Sequence, residues 1–305
     1  MARHEIPLER RTLHGHFSRD LEPVLTVEPG DSIAFSCLNA GWRTASGERY
    51  ELREEGERDA GHALVGPVEV RGACAGQTLE VRIDEVRIGS WGITDAGGWH
   101  TPLNERLGVA DGETAVFSWE LDAAAGVGRD QSGRTVDLHP FLGVIGMPPA
   151  EPGVHSTGPP RRCGGNIDCK ELVAGTTLFL PIAVDGALVS AGDGHAAQGD
   201  GEVSQLAIEA PVERAELTLG VREDLTLTTP VAWTPEAWLT FGFDEDLDEA
   251  AAVAIDAMLE LMGRERGFER REALALASVV VDLRVTQMVN GSRGIHARLA
   301  HDALR

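Results

Sequence analysis

The sequence predicts a mainly β protein: a β-sandwich or barrel body over residues 1–243, with a C-terminal helix-containing element over residues 244–305 packed on it. Three observations carry this. Apolar and polar residues alternate at period two in several segments, Gly and Pro punctuate the short runs, and the apolar spacing changes to steps of four and three near Asp244. At 305 residues the chain exceeds the usual single-core size of ~100–200 residues, so one large unit or two fused ones are expected.

In chain order, Ile33, Phe35 and Cys37 alternate with smaller or polar residues after the Pro29-Gly30-Asp31 turn. Leu79, Val81 and Ile83 alternate with Glu80, Arg82 and Asp84, and Ala215, Leu217, Leu219 and Val221 do so against Glu216 and Thr218. Each pattern marks a half-buried strand. Thr177–Ser190 reads as a hairpin, two apolar runs flanking Asp185-Gly186, a pair suited to a type I′ turn. Val203–Ile208 reads as a further strand. Beyond Asp244, the residues Leu247, Ala251, Ala254, Met258 and Leu261 make one helical face. Asp244, Glu245, Asp246, Asp248 and Glu249 crowd its start, where the helix dipole favours negative charge. A second helical stretch around Glu272–Ser278 leads into a strand, Val279–Val285.

Composition bounds the partners. A net charge of −22 repels nucleic acid unless a basic stripe is present, and Arg161-Arg162 and Arg270-Arg271 are isolated pairs. Lys170 is the only lysine. There is no apolar run long enough to cross a membrane, and Met1–Arg11 lacks an apolar signal core, so a soluble, cytoplasmic protein is expected. Cys37, Cys74, Cys163 and Cys169 form no C-x-x-C pair and read as small buried hydrophobes or reduced thiols. Neither a phosphate-cradling loop nor a dinucleotide fingerprint occurs, which argues against a nucleotide cofactor.

The chemistry is expected between Gly164 and Glu202. In Ser190–Glu202 four glycines interleave with Asp193, His195, Gln198, Asp200 and Glu202. Glycine allows close backbone approach, so such a segment can converge several side chains on one point. Asp193 and His195, two apart, share one side of an extended segment and can reach one metal ion, although a plain Gly/Asp turn would read the same way. His100, His139 and His155 are further candidate ligands or ordinary surface histidines. Upstream, Gly164-Gly165 can present backbone N–H groups beside Asn166 and Asp168, or form an Asx-stabilised turn.

The blocks GGNID (164–168), LPIAVDGA (180–187) and GDGHAAQGDGE (192–202) resemble the acetamidase/formamidase family. So do PVLTVEPGD (23–31), GPVEVRGA (66–73), HPFLG (139–143), DLRVTQ (282–287) and GIHA (294–297), in order along nearly the whole chain. The resemblance implies hydrolysis of a small aliphatic amide to carboxylate and ammonia, a divalent metal with zinc foremost, a mainly β body, and homo-oligomers. Asp168, Asp193, His195 and Glu202 stand at motif positions. On chemical grounds Asp168, Asp193 and His195 are assigned as metal ligands and Glu202 as the base that activates water and then protonates the leaving nitrogen, with Asp200 its competitor. Asn166 and Gln198 are assigned to the substrate amide, and the N–H groups of Gly164 and Gly165 to the oxyanion. Val65–Gly112, with Trp91, Trp99 and His100, could shape a pocket for a larger substrate. Two alternatives stand beside this reading: a thiol amidohydrolase built on Cys169, Lys170 and Glu171, and a non-catalytic β-sandwich that binds a metal or a sugar.

Overall fold

A computed structural model describes residues 1–51 and 59–304. The chain is mainly β. One nine-stranded sheet runs in the order Arg3–Ile6, Ser32–Cys37, Val212–Arg222, Thr78–Ile88, Thr177–Pro181, Val231–Trp233, Ala237–Asp244, Arg293–Ala300, Val281–Gln287. The three alternating segments read from the sequence are therefore neighbours. Leu217 lies opposite both Ile33 and Ile83, and Leu219 opposite Val81, so their apolar stripes form one buried face.

A second sheet is built around Phe141–Gly146, which pairs with Val189–His195 on one side and Gly164–Asn166 on the other. Val189–His195 also pairs with Leu64–Val70 and Glu209–Ala210, and the sheet continues through Trp91–Ala96 and Ala115–Asp122. Residues of both sheets, among them Ile33, Phe35, Val81, Val65, Ile145 and Ala191, share one apolar core, the arrangement of a sandwich.

The expected hairpin at Thr177–Ser190 does not form. Thr177–Pro181 belongs to the nine-stranded sheet and Val189–His195 to the other, so Asp185-Gly186 lies on a crossing between sheets. The backbone of Gly186 is committed elsewhere: its N–H donates to Ala73 O and its carbonyl accepts from Val70 N–H, each at 2.8–2.9 Å. Two runs that are apolar throughout suit strands buried on both faces, and such runs carry no information about which sheet they join. Val203–Ile208 is likewise not a strand but turns and irregular chain.

The C-terminal helical element forms as expected, except that its second helix runs over Arg270–Val280 and takes in Val279 and Val280, so the strand that follows is Val281–Gln287 rather than Val279–Val285. Asp246 caps the helix Leu247–Arg266, accepting from the N–H groups of Asp248 (2.7 Å) and Glu249 (3.3 Å), and Gly267 ends it in the left-handed conformation. Ala254, Met258 and Leu261 are buried against the sheet, while Leu247 is exposed. Gly242 lets the helix approach closely, since a Cβ there would collide with the Ala250 carbonyl. Residues 244–305 also supply two of the nine strands, Val281–Gln287 and Arg293–Ala300. No described helix is long and apolar enough to cross a membrane.

Candidate functional site

Asp193 and His195 alternate along the strand Val189–His195 and project from the same side of it. His195 is held between Phe141 and Glu209, its register partners on the two neighbouring strands. Asp168 follows the short strand Gly164–Asn166, and its N–H reaches the Gly143 carbonyl at 3.3 Å. Glu202 arrives from the covering loop with φ +44°, where its carbonyl accepts from Gln205 N–H at 2.8 Å. Asp168, Asp193, His195, Glu202 and Glu209 are all at most 5% exposed.

These groups face one another at short range. The Nε2 atom of His195 lies 3.4 Å from Asp193 Oδ2 and 3.3 Å from Glu209 Oε1. The ligand atoms of Asp168, Asp193 and His195 lie within 4.8 Å of one another, and so do those of His195, Glu202 and Glu209. Gly143 faces the cluster: a Cβ on it would sit 2.5 Å from Asp193 Oδ2, 2.7 Å from Asp168 Oδ1 and 2.9 Å from His195 Cε1. The missing side chain leaves open space between the three groups.

Neighbouring amides fix the orientation of the cluster. Gln198 donates from Nε2 to the Asp168 carbonyl (2.7 Å), which turns its Oε1 toward His195 Nδ1 (2.8 Å). An acceptor at Nδ1 puts a ring proton there and leaves Nε2 facing the carboxylates, so that a cation displacing the Nε2 proton would find the nitrogen a metal ligand needs. Gln287 Nε2 donates to Asn166 O (2.7 Å) and Asp168 Oδ2 (3.3 Å), and Asn290 Nδ2 to Asp168 Oδ2 (3.4 Å). Only one oxygen of Asp168 is thereby held. Asp168 Oδ1, Asp193 Oδ1, Glu202 Oε2 and Glu209 Oε2 have no hydrogen-bond partner among the described residues.

The electrostatics follow from burial. Desolvation pushes the Asp168 carboxyl well above the carboxylate range, helped by the nearby Glu202 charge, and it also raises Glu209. Glu202 is pushed up to about 7, by burial first and by Glu209 and Asp193 after it. Burial opposes charge on His195 too, but Glu209 and Asp193 outweigh it and raise the imidazole. Asp193 goes the other way: burial is overcome by His195 and His62, which hold it below its ordinary value. Four carboxylates around one histidine cannot all stay ionised in so little solvent; protons or a cation must share the site.

The structure brings Asp168, Asp193, His195 and Glu202 together, as their motif positions imply. Asp200 lies apart, its carboxylate 3.1 Å from Lys170 Nζ. Gln198 is occupied at both ends, and the Gly164 N–H donates to the Arg161 carbonyl at 3.0 Å. Asn166 Oδ1 is buried without a partner among the described residues. His100 and His139 are exposed and His155 is partly so, all three outside the cluster. His195 ends a buried strand rather than sitting on an exposed loop, and is 1% exposed.

Sequence reasoning missed Glu209, Gln287, Asn290 and Gly143. The signal for Glu209 was a lone acid within the apolar run Leu206–Val212, and Gln287 and Gly143 close two of the family-like blocks.

Cys169, Lys170 and Glu171 diverge. Burial and the Glu171 charge raise the Cys169 thiol far out of the reactive range, Lys170 pairs with Asp200, and Glu171 pairs with Arg284 (2.9 Å) and His296 (3.2 Å). Cys37 and Cys163 are buried and free, and Cys74 is exposed.

Proteins tolerate so many buried ionisable groups chiefly where the groups do chemistry, which makes this cluster the candidate active site of a β-sandwich enzyme. The chain belongs to the acetamidase/formamidase family, whose model matches residues 3–156 and 150–296. It is 25% identical over 303 residues to a provisionally named formamidase of Schizosaccharomyces pombe, covering 78% of this chain and 74% of that one. It is 36% identical over 115 residues to an acetamidase of Mycolicibacterium smegmatis, covering 34% of this chain and 28% of the other. Among solved structures, the acetamidase of Bacillus halodurans superposes with a TM-score of 0.84 at 27% identity, covering 97% of each chain. The family and these names indicate an amidase-type hydrolase.

Proposed function

We propose that the chain hydrolyses primary amides, with formamide and acetamide as reference substrates, releasing the carboxylate and ammonia. The observation that carries this reading is the buried, partly unpartnered cluster of Asp168, Asp193, His195, Glu202 and Glu209 in a chain of this family. The donor set fits a divalent cation. Four carboxylate oxygens lack partners among the described residues, His195 Nε2 is aimed into the cluster, and Gly143 leaves room between Asp168, Asp193 and His195. Those three residues would hold the ion, Glu202 and Glu209 lying beside them, and carboxylates with a neutral imidazole suit zinc. When bound, such an ion polarises a carbonyl and acidifies water.

The chain's own residues supply the proton traffic. Glu202 takes a proton from the attacking water as the C–O bond forms at the amide carbon. It returns that proton to nitrogen as the C–N bond breaks and ammonia leaves. A carboxyl titrating near neutrality suits both halves of that cycle. Gln198 keeps His195 in one tautomer, and Gln287 with Asn290 keeps Asp168 in one orientation.

Homo-oligomerisation belongs to the same reading. Leu283, 48% exposed, lies on the outermost strand of the nine-stranded sheet, and Val279, 81% exposed, lies in the last turn of the helix Arg270–Val280 that leads into it, an edge that a second copy would cover.

Ammonia release from formamide, acetamide, propionamide and benzamide by zinc-supplemented protein tests the activity. Turnover is expected. Metal binding without turnover of any of the four would instead support a non-catalytic metal-binding protein.

A further inference from the structure

Beside Glu202 the covering loop and the second sheet border an open cavity of about 420 Å³. Glu202 and Gln198 form part of its wall, and Trp119, Val136, Leu206 and Ile208 are its large apolar side chains together with Val203. That volume falls in the ~300–1,000 Å³ range of pockets that enclose drug-sized ligands, well beyond what formamide or acetamide fills.

The polar groups around this cavity are already bonded to one another. Trp119 Nε1 donates to Thr94 Oγ1 (3.2 Å), which donates to the Ala207 carbonyl (2.6 Å), and Ser204 Oγ donates to the Leu206 carbonyl (3.1 Å). Asp200 is paired with Lys170, and Gln198 is bonded at both ends. Glu202 lines this wall, and one of its carboxylate oxygens, Oε2, is buried without a partner among the described residues. With Thr94, Gln198, Asp200 and Ser204 bonded to one another or to the chain, an occupant meets a mostly apolar surface with the Glu202 carboxylate at its edge, and a polar group placed deep in the cavity would lose bonds to water with little replacement.

We propose that this cavity receives the acyl group of the substrate, so that the preferred substrate is a primary amide with a branched or aromatic apolar acyl group. The inference rests on the hydrolase reading above and places the reacting carbon at Glu202. The amide N–H groups then face a carboxylate that accepts, and the hydrocarbon runs along Trp119 and Leu206. Thr94 is the contribution of the 65–112 segment to this wall, whereas Trp99 acts from behind, donating from Nε1 to Gln205 Oε1 (2.8 Å) and anchoring the loop.

The test measures kcat/KM by ammonia release from zinc-supplemented full-length protein on formamide, acetamide, isobutyramide and benzamide. Val203→Trp and Leu206→Trp are compared with the unaltered chain. Val203 lines the cavity but is 63% exposed, so a larger side chain there leaves the core intact and fills the space. Isobutyramide or benzamide is expected to exceed acetamide by roughly tenfold or more, since burying each extra apolar group favours the larger substrate. Either substitution is expected to lower that ratio by roughly tenfold. Hydrolysis of formamide and acetamide with equal or poorer turnover of both bulky amides would overturn the inference and leave the hydrolase reading standing. An unchanged ratio in both variants would also overturn it. Failure of all four amides would remove both readings together.

Discussion

His195 and Glu209 stand directly opposite each other on adjacent antiparallel strands, with Nε2 and Oε1 3.3 Å apart in a fully buried space. The backbone ladder fixes this pair, so Glu209 presses its charge on the imidazole whatever the covering loop does. Replacing Glu209 with Gln keeps the shape and removes the charge. Zinc affinity is expected to fall at least ~10-fold, as when partners of metal-ligating histidines are altered. Competition against a chelating dye measures this, and unchanged affinity would take Glu209 out of the site.

The metal-free protein is expected to lose stability as pH rises from about 5 to about 8. Asp168, Glu202 and Glu209 hold protons above the ordinary carboxylate range, so over that interval the folded state binds more protons than the unfolded chain. Their contribution declines as pH climbs from the ordinary range toward each raised value, about 7 for Glu202. The raised His195 works in the same direction, its contribution complete below the ordinary imidazole value and lost as pH rises through the raised one. Asp193, shifted downward, acts only at more acid pH. Melting temperatures of chelator-treated protein should fall across this window, and zinc should flatten the trend. A melting temperature that rises with pH would contradict the assignment of buried, protonated carboxyls.

Gly143→Ala is expected to fold and yet bind metal poorly. The added methyl would lie 2.5 Å from Asp193 Oδ2 and 2.7 Å from Asp168 Oδ1, so both carboxylates must move. Overpacking of this kind costs about 1–3 kcal/mol in stability. Circular dichroism and bound-zinc analysis separate the two effects, and normal zinc content would show that the space beside Gly143 is not where the ion sits.

Gln198→Leu removes the acceptor at His195 Nδ1 and the donor to the Asp168 carbonyl together. Metal affinity or kcat/KM is expected to fall ~10–100-fold with little change in melting temperature, because Gln198 is only partly buried. Kinetics indistinguishable from those of the unaltered chain would mean that the tautomer is set by other groups.

Much of this was legible in the sequence where one periodicity dominated. The stripes at Ile33–Cys37, Leu79–Ile83 and Ala215–Val221 became adjacent strands, and the step-four, step-three pattern after Asp244 became a capped helix. Asp193 and His195 share a side at the two-residue spacing of an extended segment, with Asp193 itself in the left-handed region at φ +62°. What failed did so for physical reasons. Thr177–Pro181 and Val189–His195 are both buried strands without a polar, solvent-facing stripe, so nothing local says that they join different sheets. Glu209 lies fourteen residues beyond His195 in sequence and reaches it through strand pairing, and Gln287 reaches Asp168 across 119 residues, distances that local patterns do not span. Val203–Ile208 has strand-like composition, yet Glu202 and Gln205 both take positive φ and turn the chain over the site.

The central claim is that Glu202 moves the proton in amide hydrolysis at a metal held by its neighbours. Glu202→Gln tests it most directly, with bound zinc and ammonia release from acetamide measured on the same preparation. The amide is nearly isosteric but cannot accept the water proton, so zinc content should be retained while kcat falls by about 10²–10⁴. Near-normal turnover by a fully zinc-loaded Glu202→Gln protein would contradict the account, and Asp200→Asn measured alongside it would show whether the other acid of the loop carries the proton instead.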